Sequence, residues 1–168
     1  MVDVLEGFIA AEKTLSATPE WFVQDSEWLG FSCPLDVDHV TISGYRICGK
    51  AMLCQADQHV ILQMENHTPS GRGGAITRIE WRPMNYHNNK GLGPLEYRFR
   101  EIRCSHLHPF DLNWTLDAKA VRRGHLPIAL PINPDPENFR EFLALVGREF
   151  RIRDIQRVGT PPGQPQLI

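Results

Sequence analysis

The sequence lacks most of the features that place a chain in a functional class at first sight. Its cysteines, Cys33, Cys48, Cys54 and Cys104, contain no C-x-x-C pair. That spacing argues against a zinc ribbon or a thioredoxin-like redox motif. No secretory signal is recognisable at the N-terminus, so the thiols are expected to be reduced in a cytoplasmic protein. No apolar run approaches the ~18 residues of a membrane span, and no membrane partner is expected. An excess of one charge is missing too. The formal net charge is -2 with the signs interspersed, which argues against the strongly basic face of a dedicated nucleic-acid binder. Gly71-Arg72-Gly73-Gly74 precedes a strand pattern rather than a helix, and so fails as a phosphate-binding loop. Alternating βαβ units, internal repeats and a domain linker are absent, which removes Rossmann-type and P-loop folds.

What is present is enough for one domain. A chain of 168 residues buries roughly two thirds of its unfolded surface on folding. Val4, Leu5, Phe8, Ile9 and Leu15 recur at helical spacing and predict a helix over residues 2 to 16, ended by Thr18-Pro19. Trp21 to Leu29 reads as a strand or as core residues on a loop. His39 to Ile47 alternates, Gly49-Lys50 breaks the pattern, Ala51 to Cys54 resumes it, and His59 to Glu65 follows with Val60, Leu62 and Met64 on one face. Asn66 to Gly74, with Pro69, Ser70, Gly71, Gly73 and Gly74, is expected to be a mobile loop that could cover a site. Trp114 to Gly124 is open between helix and loop, and carries Lys119, Arg122 and Arg123, a solvated face or a contact for an acidic partner. Leu126 to Ile132 has too many prolines for a central strand and is expected to cross the core surface in extended form. Asp135, Pro136 and the spacing of Phe139, Phe142, Leu143, Val146 and Phe150 predict a helix over 136 to 149. Ile152 to Val158 suggests a last short strand. The expected fold is therefore α+β, an antiparallel meander between His39 and Trp81 with an N-terminal and a C-terminal helix, in a single domain of residues 1–158. A flexible Pro/Gly-rich tail is expected over 159–168.

Chemistry-bearing side chains concentrate between Ile79 and Asn113: His87, Asn88, Asn89, Cys104, His106, His108 and Asn113. Asn88 to Gly91 and Gly93-Pro94 favour turns, so His87 is expected on a loop at the mouth of a strand. In an extended chain Cys104, His106 and His108 share one face. An H-x-H pair with a third histidine delivered from a loop is a geometry for a divalent metal such as zinc, with a position left open for water. It suits equally an acid-base site. The plainer alternatives are a half-buried strand cysteine at Cys104 and a pair of histidines of which one is buried and the other solvated. His39, His59, His67 and His125 read as turn or solvent-face residues. On this reading the protein is a metal- or histidine-dependent enzyme acting on a small ester or phosphodiester.

The N-terminal L-x-x-F-I-x-x-E-K, the R-x-E-W of Arg78 to Trp81, the H-x-N of His87 to Asn89 and the H-x-H-x-F of His106 to Phe110 resemble a family of small bacterial proteins of uncharacterised activity. The order of helix, strands, the flap-like loop at His67 to Gly74 and His87-Asn88-Asn89 also resembles the ubiquitin-conjugating E2 fold and its inactive variants. That fold has a His-Pro-Asn tripeptide ahead of its catalytic cysteine. Here Asn88 stands in place of the proline, Cys104 lies farther along the chain, and one C-terminal helix is clear instead of two. The resemblance implies Cys104 as a thioester site, Asn89 as the group stabilising an acyl-transfer oxyanion and His87 as the residue holding the loop. It also implies an E1-like enzyme and a ubiquitin-like protein as partners, in a bacterial modification or defence pathway.

Overall fold

A computed structural model describes residues 3–163. Its elements in chain order are α1 (Val4–Ala10), β1 (Thr14–Leu15), β2 (Phe22–Val23), β3 (Trp28–Val37), β4 (Val40–Met52), β5 (Val60–His67), β6 (Gly73–Trp81), β7 (His87–Asn88), a 3₁₀ turn (Leu95–Tyr97), β8 (Glu101–Ile102), β9 (His106–His108), α2 (Phe110–Val121), β10 (Leu130–Pro131), α3 (Phe139–Phe150) and a second 3₁₀ turn (Ile155–Val158). The fold is α+β, and β3 to β6 form the expected antiparallel meander. The sheet continues past the meander. β9 pairs with β6, β10 pairs with β9, and β1 and β2 pair with β3 at the other edge. β7 and β8 form a separate two-stranded ribbon.

Period-2 alternation divides the sheet into two faces with different roles. One carries Leu29, Phe31, Leu35, Ile47, Leu62, Met64, Ile79 and Trp81, which meet Leu5 and Phe8 of α1 and Phe142, Val146 and Phe150 of α3 in the core. Phe142 is fully buried and stacks on Trp81, with ring centroids 5.3 Å apart. The other face carries Arg46, Cys48, Lys50, Gln63, Glu65, Arg78 and Glu80, half-buried or exposed. His106 pairs with Glu80 and His108 with Arg78, so both histidines extend this second, polar face. They are buried there by the excursion of residues 82 to 103 and by the segment that follows α2.

Several expectations are corrected. The first helix stops at Ala10, not residue 16, because Lys13 folds back and its buried ammonium donates to the carbonyls of Phe8, Ile9 and Ala11 at 2.9, 3.1 and 2.6 Å. Leu15, which matched the helical spacing, pairs with Leu35 in the sheet. Within 21 to 29 only Phe22–Val23 and the start of β3 are strand; Asp25 turns the chain between them, accepting from the amides of Glu27 and Trp28. β4 runs unbroken through Gly49, where a Cβ would stand 2.1 Å from the Phe31 ring; the glycine makes room for a core aromatic. The segment from Asn66 to Gly74 is a hairpin, strand up to His67 and again from Gly73. The end of the pairing at Gly73 lies seven residues along β6 from Glu80, about 23 Å at strand rise, and the tip beyond it does not cover the histidines.

Residues 110 to 121 form α2, kinked at Asp117, whose carboxylate caps the second half by accepting from Lys119 and Ala120. α3 is capped by Asn138 rather than Asp135. Leu126 to Ile132 is extended as expected and supplies edge strand β10. The strand expected at 152 to 158 is a single bridge from Ile152 to Lys13, followed by the second 3₁₀ turn. Of the expected tail, Gly159 to Gly163 is described, with Pro161 buried, and residues 164 to 168 lie outside the described residues.

Candidate metal centre

β9 is short because Pro109 follows it and the chain bends before it, yet its three residues suffice to put His106 and His108 on one face with Leu107 on the other. His87 comes from the β7–β8 ribbon, where it pairs with Ile102. One ring nitrogen from each of His87, His106 and His108 lies within 4.8 Å of the others. Ligands on a tetrahedral ion with bonds of about 2.1 Å stand about 3.4 Å apart, so the rings reach one ion by closing in about an ångström or so. His106 and His108 are buried and His87 is half-buried, the least confined of the group.

The hydrogen bonds decide which nitrogens carry lone pairs. His106 Nδ1 donates to the Cys104 carbonyl at 3.0 Å, and His108 Nδ1 donates to the Leu126 carbonyl at 2.8 Å. His87 Nε2 donates to the Pro127 carbonyl at 3.0 Å, with Asn89 Oδ1 also at 3.0 Å. Carbonyl oxygens only accept, so the lone pairs fall on Nε2 of His106, Nε2 of His108 and Nδ1 of His87. An outer carbonyl holding the N–H of each ring is the arrangement that orients metal-ligating imidazoles. Among the described residues, His108 Nε2 is the buried side-chain polar atom with no hydrogen-bond partner. Burial, then the neighbouring charges of His106, Arg78 and His87, holds the pKa of His108 down to about 3. Burial also lowers that of His106, against the opposing effects of the Cys104 carbonyl and Glu80. Both rings are therefore neutral at neutral pH, the form that ligates a metal.

Glu80 stands beside this group. Its carboxylate is 3.7 Å from His106 Nε2, 3.8 Å from His108 Nε2, 3.9 Å from His59 Nε2 and 3.7 Å from Arg78 Nη1. None of these separations is a direct hydrogen bond.

The segment after α2 closes the site through two buried amides. Asn89 accepts from the Ala129 amide at 2.8 Å and donates to the Ala129 carbonyl at 3.0 Å. Asn113 accepts from the Ile128 amide at 2.9 Å and donates to the Ile128 carbonyl at 3.0 Å. Each side chain stands in for a neighbouring strand. This extended segment carries the Leu126 and Pro127 carbonyls that orient His108 and His87.

His87, His106 and His108 thus come together with Asn89 adjacent. Cys104 does not join them. The chain bends at Cys104, so strand alternation begins only at His106; the thiol is exposed and only the residue's carbonyl touches the group. Asn89 is 1% exposed and committed to Ala129, a scaffolding position rather than the solvent-facing one an oxyanion donor needs. Glu80, Arg78 and His59 were missed as site residues. Alternation around Ile79 and Trp81 was the available signal for the first two, since it turns Arg78 and Glu80 to the face opposite the core.

Comparison with protein-family models, with curated proteins and with solved structures gave no match to this chain.

Proposed function

We propose that this protein is a metal-dependent hydrolase of small esters or phosphodiesters, its ion held by His87 Nδ1, His106 Nε2 and His108 Nε2. The observation that carries this reading is the buried, unpartnered Nε2 of His108 beside a second imidazole whose lone pair is oriented the same way by a backbone carbonyl. A neutral lone pair left without a partner in a buried site is unfavourable unless it has a ligand to meet. A zinc ion held there would supply Lewis acidity and lower the pKa of a bound water to about 7. Glu80, close to the Nε2 atoms of His106 and His108, is placed to accept the proton of the attacking water. The test is a zinc titration of chelator-treated protein. One ion per chain is expected for wild type and for Cys104→Ala, and binding weakened at least a hundredfold for His108→Ala. Undiminished binding in His108→Ala sinks the proposal.

A second reading, an E2-like carrier or inactive adaptor working with an E1-like enzyme and a ubiquitin-like protein, is favoured by the exposure of Cys104. It finds no support in Asn89, which is buried and hydrogen-bonded to Ala129. A reducible adduct formed with those partners and lost in Cys104→Ala would favour this reading over the hydrolase.

A further inference from the structure

The polar face of the sheet runs without interruption from the histidines into a groove of about 530 Å³, within the size range of small-ligand sites, about 300–1,000 Å³. Two adjacent cross-strand rows connect them. One is Lys50, Ile61, Glu80 and His106; the other is Cys48, Gln63, Arg78 and His108. A strand spacing of about 4.8 Å puts Arg78 one strand and Lys50 three strands from the histidines.

The groove's charges are not balanced. Arg46 is neutralised by Glu65, whose oxygens also accept from Gln63 and His67. Arg78 donates from Nε to the neutral Gln63 side chain at 3.0 Å and, among the described residues, has only the more distant Glu80 as a counter-charge. Lys50 forms no ion pair among the described residues; its ammonium stands 5.8 Å from the Trp28 ring. Two cations with little to neutralise them therefore face one cleft in a chain whose net charge is -2. Phe22, 54% exposed, forms an apolar rim.

We infer that this groove binds an organic phosphate of mononucleotide size, its phosphate between Lys50 and the outward edge of the Arg78 guanidinium and its organic part along Phe22. Arginine and lysine together are the usual phosphate partners, one as a planar fork and the other as a point charge. The inference deepens the hydrolase reading by naming the substrate class, and it rests on that reading only for what happens after binding.

The test is therefore made on chelator-treated full-length protein, by calorimetric titration with adenosine 5′-monophosphate, adenosine and inorganic phosphate. The nucleotide is expected to bind, with adenosine and inorganic phosphate each at least tenfold weaker. Lys50→Glu should abolish binding and Lys50→Gln weaken it about tenfold, because the attraction is a charge effect. His106→Ala, which takes one imidazole out of the histidine cluster, should leave nucleotide binding within about twofold. Lys50 is exposed, so its variants fold, and an unchanged melting temperature checks this. Equal binding by wild type and Lys50→Glu, or none by wild type, overturns the inference whatever the zinc titration shows. Loss of nucleotide binding in a folded His106→Ala places the anion on the histidines and overturns it too.

Discussion

At the scale of the residue, the centre is built by hydrogen bonds that leave lone pairs where they are wanted. The carbonyls of Cys104, Leu126 and Pro127 each take one imidazole proton, and burial does the rest by suppressing a second proton on His106 and His108. This has a consequence for stability. The unfolded chain binds a proton at His108 near the ordinary 6.5, whereas the folded chain does so only near 3. Between those values the unfolded state holds more protons, so stability falls as pH is lowered through that window and is retained above it. Urea unfolding of chelator-treated protein at about pH 7.5 and about pH 5 should show a lower midpoint in acid, with the drop diminished in His108→Phe. An identical drop in the variant would mean that His108 titrates normally. The H-x-H spacing made the pairing of His106 and His108 legible in the sequence, because strand geometry depends only on parity. Cys104 has the same parity and was misplaced, since a bend carries no signature in a run of residues that alternates on both sides of it.

At the scale of the element, the meander was legible and the helices were only partly so. β3 to β6 alternate because one face meets α1 and α3 while the other stays polar, and period 2 survives even through Gly49. α1 is shorter than its apolar spacing suggests, since Leu15 fits a helical repeat as well as it fits a strand pairing with Leu35. α2 was undecided because its cap, Asp117, lies inside it, where a carboxylate looks like any surface residue. α3 declared itself through its apolar stripe. Phe142, stacked on Trp81 and fully buried, should cost about 3 to 5 kcal/mol of stability when replaced by alanine. A loss under ~1 kcal/mol in denaturant unfolding would show that α3 does not face the sheet.

At the scale of the whole molecule, α1 and α3 take one face of the sheet and the candidate chemistry takes the other. The continuation of the sheet through β9 and β10 is what carries His106 and His108 onto the polar face. The ribbon of β7 and β8 then delivers His87 over them, and the Asn89 and Asn113 amides fasten the segment that closes the site. This convergence joins residues distant in sequence through backbone contacts, Leu126 to His108 and Pro127 to His87, so spacing alone could suggest the partners but not their outer carbonyls or Glu80. Whether these imidazoles hold one ion is decided by X-ray absorption at the zinc edge of the zinc-loaded protein. The expected first shell is nitrogen and oxygen at about 2.0–2.1 Å with imidazole outer-shell scattering and no sulfur. A shell containing sulfur at about 2.3 Å, or one without imidazole scattering, would contradict it.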